Sequence, residues 1–355
     1  MLLHDQGFEV VLVGRKKKDS IPLPPRAYRT VRMNLFFEKG VAFYAEYNIR
    51  LFLFLLFRKK DLLFANDLDT LLPNYILHKI TGAKLIYDSH EIFCEVPELI
   101  ETPFKKKIWE KLEAFIVPQL KYCITVNKSI ADWFYNKYKV NFKVIRNIPD
   151  VPQVQNLKSR KELGLPDDKK IILLQGAGIN IQRGAEEAVE AMQYLNDDCI
   201  LLIIGGGDVF NTLQKIIHDL HLENKVWIKG KMKPDELIHY TRNADIGITL
   251  DKDSNINYHY SLPNKIFDYI HANLPILASP LPEIKAIITH YNIGMLIENH
   301  EPKHIASRFK EMLFSPNYHE WKENLKIAAA ENNWEKEKQA FVSLEFAVRS
   351  SELGG

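Results

Sequence analysis

The sequence predicts an α/β protein made of two doubly wound domains. Short apolar runs alternate with longer amphipathic segments, which is the pattern of a parallel sheet covered by helices. The alternation breaks around the proline-containing stretch 148–152 and then starts again, which indicates a linker. With 355 residues, of which 46% are hydrophobic and 26% charged, the chain has the length and apolar content for two packed cores.

The first domain is expected over residues 1–149. Apolar runs and amphipathic stretches place its elements in order, with strands at 8–13, 62–65, 84–87 and 122–126, and helices at 70–80 and 104–120.

The second domain is expected over residues 150–334. Its strands are predicted at 170–174, 200–204, 226–228, 246–250 and 275–278, with a helix at 185–194. A last helical stretch runs from Trp334 to about Arg349, and the segment 335–355 is expected to cross back to the first domain. In doubly wound sheets, ligands bind beyond the carboxyl ends of the strands and near helix N-termini. Functional side chains are therefore expected in the loops that follow strands.

Composition excludes several classes of protein. The three cysteines, Cys94, Cys123 and Cys199, have neither the number nor the spacing of a disulfide framework or a zinc site, which favours a cytoplasmic setting. The first residues lack the basic flank and apolar core of a signal peptide. The longest apolar run, Leu51 to Phe57, is much shorter than the roughly 18 residues of a membrane-spanning helix, so no transmembrane segment is predicted.

A glycine-rich loop, Gln175 to Gly184, comes directly after a predicted strand and before a predicted helix. Gly176, Gly178 and Gly184 would let the backbone approach a ligand, and Arg183 carries a charge suited to phosphate. An ordinary βα turn with a surface arginine would contain the same residues. The loop matches neither the dinucleotide-binding nor the P-loop pattern.

A second segment, 258–276, contains a predicted helix start. Ser261 and Pro263 suit the cap and first turn of a helix, and Lys265 and Asp268 would share one face of it. A lysine beside free N–H groups suits a diphosphate, and a carboxylate one turn later can accept from ribose hydroxyls. An intrahelical ion pair would explain the same spacing.

Two further motifs follow strands. His90, in the run Tyr87 to Glu91, would lie at the carboxyl end of its strand and face the cleft, where it could donate a hydrogen bond, although a lone histidine is more often structural. The segment Asn66 to Asp69 contains the D-x-D pattern of metal-dependent sugar transfer. Because it precedes a predicted helix, helix capping is the favoured interpretation, and no metal site is predicted.

Together these motifs resemble the group 1, or family 4, retaining glycosyltransferases of GT-B fold. The resemblance spans nearly the whole chain and depends on the order and spacing of its motifs, which are 7–13, 87–91, 144–147, 176–184, 204–207 and 262–270. It implies two Rossmann-like domains facing across a cleft, with a nucleoside-diphosphate sugar on the C-terminal domain and the acceptor on the N-terminal one. The family's first strand and the glycine-rich loop after it are missing ahead of the segment 2–7, so the N-terminal sheet is expected to lack a central strand, or the true start to lie upstream.

The resemblance also implies roles for residues. His90, Arg183 and Lys265 would be catalytic, with the two cations stabilising the leaving diphosphate and His90 contacting the donor sugar. The loop around Lys231 would meet the base, and Asp268 the ribose. The donor-binding residues implied are Gly176, Gly178, Gly184, Lys231, Tyr260, Ser261, Leu262, Pro263, Asn264 and Asp268. No metal or other cofactor is implied.

The chain departs from the family pattern at four positions. Asp268 stands where the family has Glu, and Tyr260 replaces an acid eight residues earlier. In the basic loop, Gly178 takes the place of an arginine and Arg183 that of a lysine, and Lys265 would compensate. The predicted function is transfer of a sugar, with retention, to a glycan or lipid-linked acceptor in cell-envelope polysaccharide synthesis. Two alternatives stay open: a sugar-nucleotide 2-epimerase of the same fold, and a catalytically silent binding subunit, which the missing acid at Tyr260 favours.

Positive charge is concentrated in the first part of the chain. Residues 1–150 carry 24 Lys and Arg against 17 Asp and Glu, whereas the remainder carries 23 against 28. Basic runs at 15–18, 58–60 and 105–107 lie near aromatic runs at 35–37 and 52–54. Such clusters can hold a protein on an anionic leaflet, at about 1 kcal/mol per charge. Solvated helix ends beside a buried run would look the same. The hypothesis is peripheral contact with the inner face of the cytoplasmic membrane, and no nucleic-acid partner is predicted.

Overall fold

A computed structural model describes residues 2–343, except positions 19, 21, 24, 151–153 and 155. The contacts between residues divide the chain into two units. The first comprises the residues up to Arg146 together with the segment from Glu337 onward, and the second comprises Asn147–Lys336.

The first unit is an α/β structure with parallel strands. Its strands are β1 (Val11–Lys16), β2 (Arg29–Asn34), β3 (Leu62–Asn66), β4 (Lys84–Ser89), β5 (Tyr122–Thr125) and β6 (Lys143–Val144). Its helices are α1 (Leu2–Asp5), α2 (Gly40–Leu56), α3 (Leu68–Thr81), α4 (Pro97–Ile100), α5 (Pro103–Ile116) and α6 (Lys128–Tyr138). Strands β1 and β2 pair with each other, and a separate four-stranded sheet has the order β3-β4-β5-β6.

The first unit differs from the sequence prediction near its start. The strand expected at 8–13 begins at Val11, and β2 and α2 were not predicted. Strand β2 contains two arginines, and its four central residues are all half-buried, so it lacks the alternation by which a strand is recognised in a sequence. Helix α2 contains most of the apolar run 51–57, which was too short to be assigned as a helix by itself.

The second unit contains one six-stranded parallel sheet. Its strands are β7 (Lys170–Gly176), β8 (Cys199–Gly205), β9 (Val226–Lys229), β10 (Ile246–Thr249), β11 (Ile276–Ala278) and β12 (Gly294–Leu296). The helices that follow along the chain are α7 (Ala185–Ala191), α8 (Phe210–Asp219), α9 (Pro234–Asn243), α10 (Ile256–His259), α11 (Lys265–His271), α12 (Pro282–Tyr291), α13 (Pro302–Leu313), α14 (Tyr318–Glu331) and α15 (Trp334–Val342).

Apolar residues cover both faces of this sheet. Ile172 and Leu174 of β7 belong to one buried cluster, whereas Ile171 and Leu173 belong to another, because successive side chains of a strand point to opposite faces. The strand order is β12-β11-β10-β7-β8-β9, so the winding direction reverses between β7 and β10. In such sheets the ligand crevice lies beyond the carboxyl ends of the two strands at the reversal. The loops after β7 and β10 are therefore the first place to look for a site.

The end of the described chain is tied to the first unit. Glu337 in α15 is buried, and its carboxylate accepts hydrogen bonds from the backbone N–H and the guanidinium of Arg146, with Nη2 at 2.7 Å. The helix extends from Trp334 to Val342, and the part of the predicted helix beyond residue 343 lies outside the described residues.

Among the described helices, none combines the length and apolar content needed to cross a membrane.

Candidate functional site

Two glycine-rich loops interlock at the carboxyl ends of β7 and β8. The backbone N–H of Ile179 donates to the carbonyl of Gly206 at 2.7 Å. A Cβ atom added to Gly205 would lie 1.8 Å from the carbonyl oxygen of Gly176, and one added to Gly207 would lie 1.8 Å from that of Ile179. Contacts this short require glycine, so the two loops form a closely packed backbone floor.

The glycines of the first loop differ in how much space surrounds them. Gly184, directly before α7, has φ +73°, and a Cβ there would lie 2.2 Å from the carbonyl oxygen of Leu250. A Cβ at Gly178 would meet nothing closer than the side chain of Asn180, at 3.7 Å. Gly184 is therefore required for packing, whereas the space beside Gly178 is open.

A buried carboxylate holds Arg183 in place. Asp251 comes two residues after the end of β10 and is 0% exposed. It accepts from Arg183 Nη1 at 2.8 Å and from Thr249 Oγ1 at 2.8 Å. The guanidinium also lies 4.7 Å from the ring centre of Tyr258, and its Nε is buried without a hydrogen-bond partner in the described part of the chain.

Lys265 brings a second cation to the same place. It is the first residue of α11 and only 9% exposed, and its Cε lies about 4.0 Å from where a Cβ at Gly176 would be. Burial lowers the pKa of Lys265, and the charge of Asp251 opposes that shift. Burial alone would raise the pKa of Asp251, but Lys265 and Arg183 hold it below its usual value. Two cations therefore lie near one carboxylate at the reversal of the sheet, with Lys265 buried and Arg183 partly exposed, and the three groups carry one formal net positive charge.

Helix α11 is anchored by Tyr269. The ring packs against Gly247, where a Cβ would lie 2.7 Å from it. The Tyr269 hydroxyl lies within hydrogen-bond distance of the carbonyls of Leu173 and Ile248, at 3.1 and 3.2 Å, and accepts from the N–H of Gln175. These contacts connect the helix to β7 and β10, so Lys265 is positioned by two strands of the sheet.

The predicted start of this helix was wrong. Helix α11 begins at Lys265 after Asn264, so neither Ser261 nor Pro263 occupies the cap or the first turn. The hydroxyl of Ser261 is instead buried, and it has no hydrogen-bond partner among the described residues. Tyr260 closes the short helix α10 by donating its N–H to Ile256.

The segment before α11 is partly buried. Leu262 packs against the apolar cluster under α11, the carbonyl of Pro263 accepts from the N–H of Ile266 at 3.1 Å, and Asn264 is exposed.

Asp268 is held by an amide. Its Oδ2 accepts from Gln175 Nε2 at 2.9 Å, and Gln175 Oε1 accepts from Thr241 at 2.7 Å. Burial raises the pKa of Asp268 to about 6, against the opposing effect of the Gln175 hydrogen bond. The described residues show no ion pair between Asp268 and Lys265, so the ion-pair alternative for this spacing is not what the structure contains.

Lys231 follows β9 and lies over the glycine floor. A Cβ at Gly206 would lie 2.4 Å from its Cε. Lys231 also lines a cavity of about 580 Å³ together with Lys158, Met232 and His239. This cavity adjoins the loop to which the sequence assigned base recognition.

His90 lies in the first unit, directly after β4. Its backbone N–H donates to Asp67 Oδ1 at 2.9 Å, and its Nε2 lies 3.1 Å from Asp88 Oδ2. The hydrogen bond to Asp88 is the main reason why the pKa of His90 is raised to about 9, so the ring is protonated at neutral pH.

The prediction that the Asp67 side chain caps the following helix was wrong. Asp67 does precede α3, but its side chain makes no cap hydrogen bond to that helix and binds His90 instead.

The structure thus brings together Gly176, Gly184, Arg183, Lys231, Lys265 and Asp268 around the carboxyl ends of β7 to β10 in the second unit, with the segment 260–264 next to them. Gly178 lies in the same loop, and His90 lies in the first unit.

Comparison with known proteins identifies the family. Residues 155–331, about half of the chain, match the model of the glycosyl transferases group 1 family. The chain belongs to the group 1 glycosyl transferases. Among curated relatives, this group 1 glycosyl transferase is 22% identical over 264 residues to a chitobiosyldiphosphodolichol beta-mannosyltransferase of Candida glabrata, which covers 63% of this chain and 56% of that protein. The chain spans about half the length, or less, of the first curated relatives it matches.

Solved structures show the fold of this group 1 glycosyl transferase. A sucrose-phosphate synthase from Thermosynechococcus elongatus aligns with a TM-score of 0.78 at 15% identity, covering 99% of this chain and 91% of that one. Anabaena HepE in complex with UDP-glucose aligns with a TM-score of 0.67 at 14% identity, covering 92% and 86%. The predicted GT-B fold is confirmed.

The sequence patterns missed Asp251, Gln175 and Tyr269. Asp251 had a usable signal, since it is an acidic residue shortly after the buried-type strand β10, where ligand-facing residues are expected. Gln175 and Tyr269 had none, because their role comes from contacts between residues more than 90 positions apart in the chain.

Proposed function

We propose that this chain is a glycosyltransferase that uses a nucleoside-diphosphate sugar and transfers its sugar with retention of configuration. The observation that carries the proposal is a pair of cations, the buried Lys265 and the partly exposed Arg183, beside the glycine floor at the reversal of the sheet. They carry one more positive charge than Asp251 balances. A diphosphate needs both a cation and a close backbone approach, and this place offers the two together.

We propose for these residues the roles that the family resemblance implies. Lys265 and Arg183 stabilise the diphosphate as negative charge develops on it, a contribution whose removal costs about 10²–10³ in rate at comparable sites. Asp268 accepts from the ribose, and the loop at Lys231 meets the base. The resemblance implies that His90 would donate to the sugar, and its raised pKa suits it to act as a donor.

Relatives support the choice of substrates. HepE is named in complex with UDP-glucose, and the Candida glabrata protein is named as a mannosyltransferase acting on a dolichol-linked acceptor. We propose a nucleotide-sugar donor and a glycan or lipid-linked acceptor for this chain, in cell-envelope polysaccharide synthesis at the inner face of the cytoplasmic membrane. The excess of Lys and Arg in residues 1–150 would attract that anionic surface.

A donor screen tests the proposal. Thermal unfolding would be followed with UDP-, GDP-, ADP- and CMP-sugars, and a donor at 100 times its dissociation constant should add about 2.7 kcal/mol. The stabilising donor is then incubated with lipid-linked and free glycan acceptors, and the anomeric configuration of the product is determined. Failure of every nucleotide sugar to stabilise the protein would refute the proposal.

One other candidate function is that of a binding subunit without activity. It is favoured because Tyr260 stands where the family pattern has an acid. Stabilisation by a donor, without turnover on any acceptor, would support that candidate. Conversion of the donor without an acceptor would indicate the 2-epimerase.

A further inference from the structure

Helix α2 exposes a surface made of apolar residues. On the side facing solvent, Ile49 is 60% exposed, Leu53 48%, and Phe57, directly after the helix, 82%. These three residues are spaced four apart and therefore share one face. The exposed residues within the helix are all apolar: Gly40, Val41, Ala42, Ala45, Ile49 and Leu53. Its other side is buried in an apolar core, whereas a surface helix of a globular protein ordinarily turns polar residues outward.

The neighbouring helices continue this surface. Asn48 in α2 donates to the carbonyl of Asp69 in α3 at 2.9 Å, and the rings of Tyr44 in α2 and Trp109 in α5 lie 5.1 Å apart. Helix α3 exposes Ile76 and Ile80, and helix α5 exposes Phe104, Ile108 and Phe115. Three helices in mutual contact therefore all present large apolar side chains to solvent.

Lysines are interleaved with these apolar residues. In α5, Phe104, Lys107, Ile108, Lys111 and Phe115 follow helical spacing, and all five are exposed. Neither of the two lysines forms an ion pair within the described part of the chain. Directly after α2, Arg58 and Lys59 are likewise exposed next to an exposed apolar residue, Phe57.

We infer that α2, α3 and α5 form a bilayer-docking face, defined by Ile49, Leu53, Phe57, Ile80, Phe104 and Ile108, that binds the surface of an anionic membrane. The apolar side chains would enter the boundary between headgroups and acyl chains, and the lysines would meet anionic headgroups. Charge complementarity selects this occupant over a second copy of the chain, because lysine is depleted in protein–protein interfaces and unpaired lysines would oppose one another there. The inference deepens the proposed function, since a bilayer would carry the lipid-linked acceptor, but it uses no residue of the donor site.

Vesicle flotation tests this face. Wild-type protein, an Ile49→Asp/Leu53→Asp variant and an Ile327→Asp control would be floated with phosphatidylcholine vesicles, with and without phosphatidylglycerol, at low and high salt. Ile327 is a suitable control because it is 56% exposed on α14 in the second unit. The wild type and the control should float with anionic vesicles. The double variant should lose at least about tenfold in partition at both salt concentrations, because placing an acid in the membrane boundary costs more than 1.4 kcal/mol.

A Lys107→Gln/Lys111→Gln variant separates the two contributions. It should bind less tightly than wild type at low salt and equally at high salt, because screening removes the electrostatic contribution. Flotation of Ile49→Asp/Leu53→Asp equal to wild type would overturn the inference. The inference would also be overturned if light scattering showed that the wild type is a dimer which does not bind vesicles, and that the double variant is a monomer. Circular dichroism and donor-induced thermal shifts of each variant show that it is folded. Loss of donor binding with normal flotation would count against the proposed function only.

Discussion

Replacement of Lys265 by methionine separates stability from ligand binding at the candidate site. Lys265 is 9% exposed and shares the carboxylate of Asp251 with Arg183. Methionine has a similar length and no charge, so the change removes one buried cation and leaves Asp251 paired with Arg183 alone. The net charge of this group of three then falls from +1 to 0.

The expected magnitudes follow from that count. Removing a buried cation whose pKa is already lowered by burial should leave the free energy of unfolding unchanged or raise it, because the desolvation of Lys265 is no longer required. A hydrogen bond from an ionised donor contributes about 1.5–3 kcal/mol, so the affinity for a nucleoside diphosphate should fall by about tenfold to 150-fold.

Two measurements check this expectation. Isothermal titration with the nucleoside diphosphate selected by the donor screen gives the dissociation constants, and urea unfolding gives the stability of both proteins. Unchanged affinity in Lys265→Met would refute the assignment of Lys265 to the diphosphate. A loss of several kcal/mol of stability would refute the electrostatic balance described above.

The remaining predictions concern other parts of the two units. Asp251→Asn should lower the free energy of unfolding by about 3–5 kcal/mol in urea, because the buried Lys265 and the partly exposed Arg183 lose their counter-charge. Gly184→Ala should cost about 2–5 kcal/mol from its left-handed backbone and its close carbonyl contact, whereas Gly178→Ala should stay within about 0.5 kcal/mol of wild type. Since the pKa of His90 is raised from 6.5 to about 9 by Asp88, this pair stabilises the fold fully below pH 6.5, and the stabilisation disappears as the pH rises through about 9. Asp88→Asn should therefore be less stable than wild type at pH 6 and equally stable above pH 9.

Each of these predictions has its own contradicting result. Equal stability of the two alanine variants would show that Gly184 is not constrained by its contact with Leu250. A pH-independent difference between wild type and Asp88→Asn would show that the histidine charge is not involved. For Asp251→Asn, added nucleoside diphosphate should restore part of the lost stability, since it supplies negative charge at the same place, and a lack of rescue would contradict that account.

Much of the second unit could be predicted from sequence because its strands are largely apolar. β7 and β8 consist almost entirely of buried residues, so the apolar runs and the strands nearly coincide. The loops after them then indicated the site through their glycines and Arg183. The first unit was harder near its start. β2 contains two arginines, and α2 is apolar on both sides, so neither shows the periodicity by which amphipathic elements are recognised.

The details of the site depend on contacts between distant segments. The spacing of Lys265 and Asp268 placed them on one helix, but Asp251 comes from the loop after β10 and Gln175 from strand β7. The start of α11 was misplaced because Ser261 and Pro263 have favourable residue types for a cap. The chain closes α10 at that point instead, so the local preference is not used.

The interlocked glycine loops have a consequence for altering what this protein binds. At Gly205, Gly207 and Gly176 the floor is formed by direct contacts between backbone atoms, and the side chains that tie its two loops together are those of Asp208 and Asn180. Positions on its rim, such as Gly178 and Lys231, could then be exchanged without rebuilding the floor. Libraries that vary the rim and keep the three glycines should yield folded proteins at high frequency, which makes this unit a practical scaffold for redesigning ligand preference.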